Sequence, residues 1–360
     1  MVNDESVIRS RERELIQGKR TKNMKSYYNT VLINIGLALI FISPVTAELL
    51  TAANLHSQAF WGGSSRDYHM QAAQVATLHD GDTATSWTRT TGGGSHIWAT
   101  PTLTSPRPFI VTKIEVVAST GTPSKSGGNI EILKVGASGF IAATNVIVPT
   151  TLASGELWSM DMPIADQVPI SAIRHHGYVW DNEMMELRFY GDPVECSGGN
   201  IIDLTSTGTV QTSPTSESPA GSLTNGVLED DTSGLTGGAG GTKTVVIDFG
   251  AGVRKEVLYT AWNPNNTWGV SFTSTAVGTS GDYALGSLID FSAATTPNYT
   301  GSLSRGEDAP GHVWVVTAVN DGAPRWLGSA GYKLSTSWNY GASEIVVLGL
   351  PPKGSVISIR

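Results

Sequence analysis

The sequence predicts an all-β protein of two domains, on three observations. Only 15% of the 360 residues are charged against 40% hydrophobic, and 41 are glycine, a composition that favours short strands joined by turns over charged amphipathic helices. β-Branched and aromatic runs bounded by Gly, Pro, Ser or Thr recur along the chain, with no sustained helical period and no βαβ rhythm. These runs fall into two sets on either side of a break, and the length suits two domains with a core each.

Residues 1–23 are polar and charged, and Met24 opens a second beginning. Lys25, the apolar run Val31 to Ile42 and the small-residue site Val45-Thr46-Ala47 read as a signal peptide, so residues 1–47 are expected to be an N-terminal extension and signal segment. The run is shorter than the roughly 20 apolar residues that span a bilayer, which favours export and cleavage over an anchor. The location expected is therefore secreted or cell surface. Seven basic and four acidic side chains go with that segment, leaving 16 Lys and Arg against 27 Asp and Glu, a formal charge of −11. Such a surface repels phosphate backbones, and no basic cluster with interleaved aromatics offsets it, so nucleic acid is not an expected partner. Cys196 is the only cysteine, so no intramolecular disulfide forms and stability falls to the core and a metal.

The first domain is expected over 48–193, with strands at Phe109 to Val117, Asn129 to Val135 and Met185 to Gly191. The segment DPVECSGGN, Asp192 to Asn200, reads as a break, with a linker at 194–200. A second domain is expected over 201–350, with strands at Lys243 to Gly250, Glu256 to Trp262, Trp268 to Ser274, His312 to Val319 and Ser343 to Leu350, and a tail at 351–360. The halves share an order of parts: an acidic turn, then strands, then a closing strand with Glu, alternating apolars and Gly (MELRFYG and SEIVVLG).

The stretch DGDTATSW, Asp80 to Trp87, carries the clearest chemistry. Two carboxylates two residues apart in a tight turn cannot flank a glycosidic bond from opposite sides. They suit a hard cation better, because Gly81 permits a turn that aims side-chain and backbone oxygens at one point. Asp80, Asp82 and Thr85 supply such oxygens but are too few for calcium, so another carboxylate must come from elsewhere; a plain Asp-Gly turn without metal is the alternative.

The spacing D-G-D-x-x-T-x-W, in a domain ending in ELRFYG, resembles the discoidin family, also called coagulation factor V/VIII type C domains, of the galactose-binding-like superfamily. The resemblance implies an eight-stranded jelly-roll β-sandwich with ligand loops at one end and a structural calcium beside them. It assigns Asp80, Asp82, Thr85 and Glu186 as calcium ligands and Trp87 to the core. In the second half VVIDFGAG, RWLGSAGYKLSTS and SEIVVLG resemble the family's strands more weakly. There the acidic turn departs from the pattern: Asn225-Gly226 replaces Asp-Gly and no Trp follows at the expected distance, so a second metal at Asp230, Asp231 and Glu344 is only a guess.

The chain shows no GxSxG, no HExxH and no Cys paired with a His motif, and it is expected not to be an enzyme. Adjacent His175 and His176 point to opposite faces of a strand and cannot grip one ion. A sugar site needs an aromatic face for the ring and polar groups for its hydroxyls. Candidates are Trp61, Arg89, His96, His175, Tyr178 and Trp180 in the first domain, and Trp262, Asn266, Trp268, Trp338 and Tyr340 in the second; for each, ordinary packing is the competing explanation. A lipid reader would show basic residues beside exposed apolar tips, which the acidic balance opposes. The function expected is therefore an exported, non-catalytic glycan-binding adhesion protein braced by calcium. The alternative is a self-assembling subunit of an extracellular filament, surface layer or virion appendage.

Overall fold

The computed structural model describes residues 47–51, 55–62, 77–85, 98–118, 127–137, 139–177, 184–213, 216–218, 220–226, 234–236, 241–264, 270–281, 288–291, 299–303, 313–336 and 342–352. The signal segment lies outside them. Among the described residues there is no α-helix, only strands and short 3₁₀ turns, as the composition predicts.

Eight strands build the first sandwich: β1 (Glu48–Leu50), β2 (His56–Gly62), β3 (Trp98–Ala118), β4 (Gly128–Lys134), β5 (Ile141–Val148), β6 (Leu157–Asp161), β7 (Ile170–Gly177) and β8 (Met184–Pro193). The 21-residue β3 is the device that makes two layers out of one sheet. Its first part pairs with β2 and with β7 up to Thr104, and its second part, from Phe109 onward, pairs with β8 and β6. Between them lies Ser105-Pro106-Arg107-Pro108. Two prolines remove two ladder donors, so the chain turns there from one layer to the other. One layer is thus β2, β3, β7, β4 and β5, and the other is β1, β8, β3 and β6.

The apolar side chains between the layers are those that strand alternation points inward. Leu103, Ile130, Ile132, Val146 and Ile173 come from one layer, and Ile114, Val116, Leu187 and Phe189 from the other; all are fully buried. The sequence did not predict β5, in which only every second or third residue is buried; β7 is the strand on which it put His175 and His176.

The second sandwich follows as β9 (Ile202–Asp203), β10 (Thr209–Ser213), β11 (Ser216–Ser218), β12 (Gly234–Thr236), β13 (Gly241–Asp248), β14 (Lys255–Pro264), β15 (Val270–Thr279), β16 (Ile289–Asp290), β17 (Tyr299–Leu303), β18 (Val315–Ala318), β19 (Arg325–Leu327), β20 (Ser329–Thr336) and β21 (Ala342–Gly349). One sheet runs β10-β13-β20-β15-β16 with β17 on β15; the other runs β18-β14-β21-β9 with β19 on β14; β11 and β12 form a separate pair. Val245, Ile247, Tyr332 and Leu334 face Val257, Trp262, Ile345 and Val347 across its core. Tyr332 is fully buried, and its hydroxyl donates to the Thr260 carbonyl at 2.5 Å, which satisfies the one polar atom that the ring brings inside.

Part of the first sandwich's outer surface is covered by the second sandwich. Leu133 and Ala172, side by side on β4 and β7, join the apolar cluster of the second sandwich, and Ala137 and Phe140 of the β4–β5 connection pack against it. Val135 and Cys196 pack against a further cluster that includes Tyr259, Trp314, Val316, Val346 and Leu348. Hydrogen bonds cross the seam as well: the Gly136 N–H donates to the Val316 carbonyl at 2.9 Å, and the Trp314 N–H to Thr104 Oγ1 at 3.1 Å. Residues 47–360 form one compact unit.

Candidate functional site

The acidic turn begins with a 3₁₀ turn at Thr77–His79 that buries Leu78 completely. Gly81 follows with φ +80°, in the left-handed region that glycine enters without steric penalty. The turn is knitted by its own oxygens. Asp80 Oδ1 accepts the Asp82 N–H at 2.7 Å, Asp82 Oδ1 accepts the Ala84 N–H at 2.9 Å, and the Thr85 hydroxyl lies 3.0 Å from Asp80 Oδ2 and 2.8 Å from the Asp82 carbonyl. Asp80, Asp82 and Thr85 are therefore gathered in one place, as the spacing predicts.

Glu186, on β8, meets this turn from 106 residues away in sequence. It is fully buried, and neither carboxyl oxygen has a donor in hydrogen-bonding geometry; Arg188 Nε stands 3.5 Å from Oε2. Burial first, and then the neighbouring Asp80 carboxyl, pushes the Glu186 carboxyl up to about 7, while Arg188 and the Gly81 backbone pull the other way. On Asp80 burial also opposes charge, but the Asp82 N–H, the Glu186 carboxyl and the Thr85 hydroxyl outweigh it and hold its carboxyl below the ordinary range. Glu186 therefore keeps its proton to a higher pH than Asp80 does.

A cation can take that proton's place. The donor set is hard: two carboxylates, a hydroxyl and the Asp82 carbonyl, with a buried and unsatisfied carboxylate on the final strand. These residues fit calcium, which takes oxygen ligands, and do not fit a soft metal. Asp82 spends one carboxyl oxygen on the Ala84 amide, and among the described residues no group of three or more His, Cys, Asp or Glu side chains gathers as a metal cluster.

His79 is a site residue that the sequence reading missed. Its Nδ1 lies 2.7 Å from the Leu187 carbonyl, its ring stacks on Phe189 at 5.7 Å, and burial lowers it to about 4 against the smaller opposing pulls of Leu187 and Asp80. The ring is therefore neutral and donates from Nδ1. Its position directly before Asp80 was the only signal available.

No family model matches the chain, and no curated protein matches it. Among solved structures, the fucolectin of striped bass (Morone saxatilis) serum aligns over 83% of this chain and 97% of its own, at 14% identity and a TM-score of 0.29. Discoidin II of Dictyostelium discoideum aligns over 81% and 99%, at 12% identity and a TM-score of 0.30. Allantoicase of Saccharomyces cerevisiae, an enzyme by its name, aligns over 74% and 81%, at 15% identity and a TM-score of 0.28. At such identities and scores the likeness reaches neither loops nor ligands, and what the site does rests on its own residues.

The second sandwich repeats the turn in outline. A 3₁₀ turn at Ser222–Thr224 buries Leu223, Asn225 stands where the first turn has Asp80, and Gly226 has φ +77°. Glu344, buried on β21, accepts the Gly226 N–H at 3.1 Å. Asp230 and Asp231 lie outside the described residues.

Two ligand candidates are corrected by burial. Trp262 is 1% exposed, edge-on to Tyr332 in the core, and His175 is fully buried on the inward face of β7; neither ring is reachable by a ligand. Its neighbour His176 is the outward one, with Nδ1 2.9 Å from Glu131 Oε1, while Arg174 grips Glu131 Oε2 at 2.7 Å and stacks on Phe140 at 4.0 Å. Trp61 lies on β2. Arg89, His96, Tyr178, Trp180, Asn266, Trp268, Trp338 and Tyr340, and the core candidate Trp87, lie outside the described residues.

Proposed function

We propose that the chain is an exported, non-catalytic carbohydrate-binding protein whose first sandwich is braced by calcium. One observation carries the reading: the D-G-D-x-x-T turn is met by Glu186, buried and without a donor, in the arrangement that the discoidin resemblance implies. Asp80, Thr85, the Asp82 carbonyl and Glu186 would hold the ion, which supplies a charge that the buried Glu186 otherwise lacks. The brace fixes the start of β8 and the adjoining loops, so that polar and aromatic side chains on those loops meet a ring without paying to order themselves.

Glycan-array binding with calcium titration tests this. Retention of a defined set of glycans that is lost on chelation is the expected result; a blank array together with a thermal stability indifferent to chelator would overturn it. A second reading, self-assembly, is favoured by β5, a sheet edge with Ile141 and Ile147 45% and 56% exposed, since such edges pair with other strands. Long ordered polymers of the chain in electron microscopy would support it.

A further inference from the structure

A cavity of about 300 Å³, at the small end of the range for small-molecule sites, opens along the seam with walls from both sandwiches. Val135 and Pro169 come from the first, the Val135 N–H donating to the Pro169 carbonyl at 3.2 Å. Tyr259 and Ala318 come from the second, paired directly across β14 and β18 so that both side chains point to the same face. Lys134 lines the cavity from one sandwich and Asp321 from the other.

Three polar groups here are not used up by the fold. Tyr259 is only 5% exposed, yet its hydroxyl takes no hydrogen bond among the described residues; burial first, and then Cys196, pushes the phenol up, so it stays a donor at neutral pH. That hydroxyl borders Gly322, where an added Cβ would stand 3.6 Å from it. Lys134 leans on its own sandwich, with Nζ 3.9 Å from Asp166 Oδ1, a loose pairing, while Asp166 Oδ2 accepts the Thr144 N–H at 2.7 Å. Asp321 is exposed and firmly placed. It and Gly322 have φ of +49° and +81°, and the Ala323 N–H donates to the Asn320 carbonyl at 2.8 Å, which makes Asn320 to Ala323 a type I′ turn.

A guest with a single charge would satisfy one of the two ionised groups and be repelled by the other. A neutral polyol would bring hydroxyls against Val135, Pro169 and Ala318, where they lose water and find no partner. A small molecule with a carboxylate, an ammonium and an aliphatic body avoids both costs. Its charged ends make hydrogen bonds about twice as strong as neutral ones, and its body covers the aliphatic walls.

We infer that the seam cavity binds a free amino acid with a branched aliphatic side chain. Its carboxylate accepts from Lys134 Nζ and the Tyr259 hydroxyl, its ammonium donates to the Asp321 carboxylate, and its side chain lies against Val135, Pro169 and Ala318. The site is independent of the glycan reading: it lies apart from the acidic turn and belongs to neither sandwich alone.

The test is calorimetric titration of the intact chain with L-leucine, with isocaproate, which lacks the ammonium, and with isoamylamine, which lacks the carboxylate. Leucine is expected to bind about tenfold or more tightly than either, the worth of a hydrogen bond to a charged group. Asp321→Asn, Lys134→Met and Tyr259→Phe should each weaken leucine by about tenfold or more, and Ala318→Leu, which fills the cavity, should abolish binding. Asp321 and Lys134 stand at the rim, so their variants keep the core and carry the decision if the other two fold poorly. No heat with leucine, equal affinity for leucine and either analogue, or unchanged affinity in Asp321→Asn and Lys134→Met would overturn the site. Displacement of leucine by galactose would put a sugar there instead and overturn it as well.

Discussion

At the residue scale, Glu186 and His79 give the acidic turn opposite responses to pH. The Glu186 carboxyl sits at about 7, above its ordinary 4.5, so the fold binds more protons than the unfolded chain between those values. Its contribution is complete below about 4.5 and lost as pH rises through 7. His79 sits at about 4, below 6.5, so its contribution is complete above 6.5 and lost as pH falls toward 4. The two offset each other between 4.5 and 6.5 and part above that. Without calcium, the melting temperature is expected to change little across the lower window and to fall between pH 6.5 and 8; calcium should restore it most at pH 8, where Glu186 is ready to lose its proton. Glu186→Gln should abolish the calcium response, raise the calcium-free melting temperature at pH 8, and expose the acid lability of His79. Melting curves at pH 5, 6.5 and 8, with calcium and with chelator, check all three; a calcium response retained by the variant would exclude Glu186 as a ligand. The turn was legible in the sequence because its motif is local, whereas its partner Glu186 came only through the discoidin resemblance. The choice between His175 and His176 was not legible. Alternation puts them on opposite faces, but only the register with β4, where His175 lies across from Ile130 and His176 from Asn129, says which face is the core.

At the scale of elements, each sandwich closes on a strand whose Glu is followed five residues later by Gly, and the glycine has a packing reason. A Cβ on Gly191 would stand 1.9 Å from the Ile110 carbonyl oxygen, and one on Gly349 would stand 2.1 Å from that of Glu256. These strands pass their neighbours too closely for any side chain, which explains why both ELRFYG and EIVVLG end as they do. Gly349→Ala is expected to cost about 1–3 kcal/mol, in the range of an overpacked core, read as a lower denaturant midpoint; Gly250→Ala makes a useful contrast, since its Cβ would meet nothing within 4 Å and any loss there comes from its φ of +92°. The central strands were readable in advance because β-branched runs buried on one or both faces leave a strong pattern. β5 was not, because edge exposure puts polar residues where the pattern expects apolar ones. The corner in β3 was hidden for a related reason: prolines read as a strand's end, whereas here they turn a strand that goes on.

At the scale of the whole molecule, the two sandwiches share buried surface, a property that no local pattern announces. Leu133 and Ala172 look in sequence like residues of a half-exposed sheet, and only the second sandwich tells why their side of β4 and β7 is apolar. Trp314 is 2% exposed at this seam, with its N–H on Thr104 and its ring 6.5 Å from that of His56. Calorimetry of residues 47–360 should therefore show one unfolding transition instead of two. Trp314→Ala, at a cost of about 3–5 kcal/mol, should lower it and begin to separate the halves; two well-resolved transitions in the unsubstituted chain would contradict the shared core. The seam also decides how the molecule bears a load. If one sandwich is held by a surface and the other by a cell, tension does not run along residues 194–200 as through a tether. It runs sideways through Leu133, Val135, Trp314 and Val316, where many small contacts must slip together, so the pair should yield late and all at once under pulling.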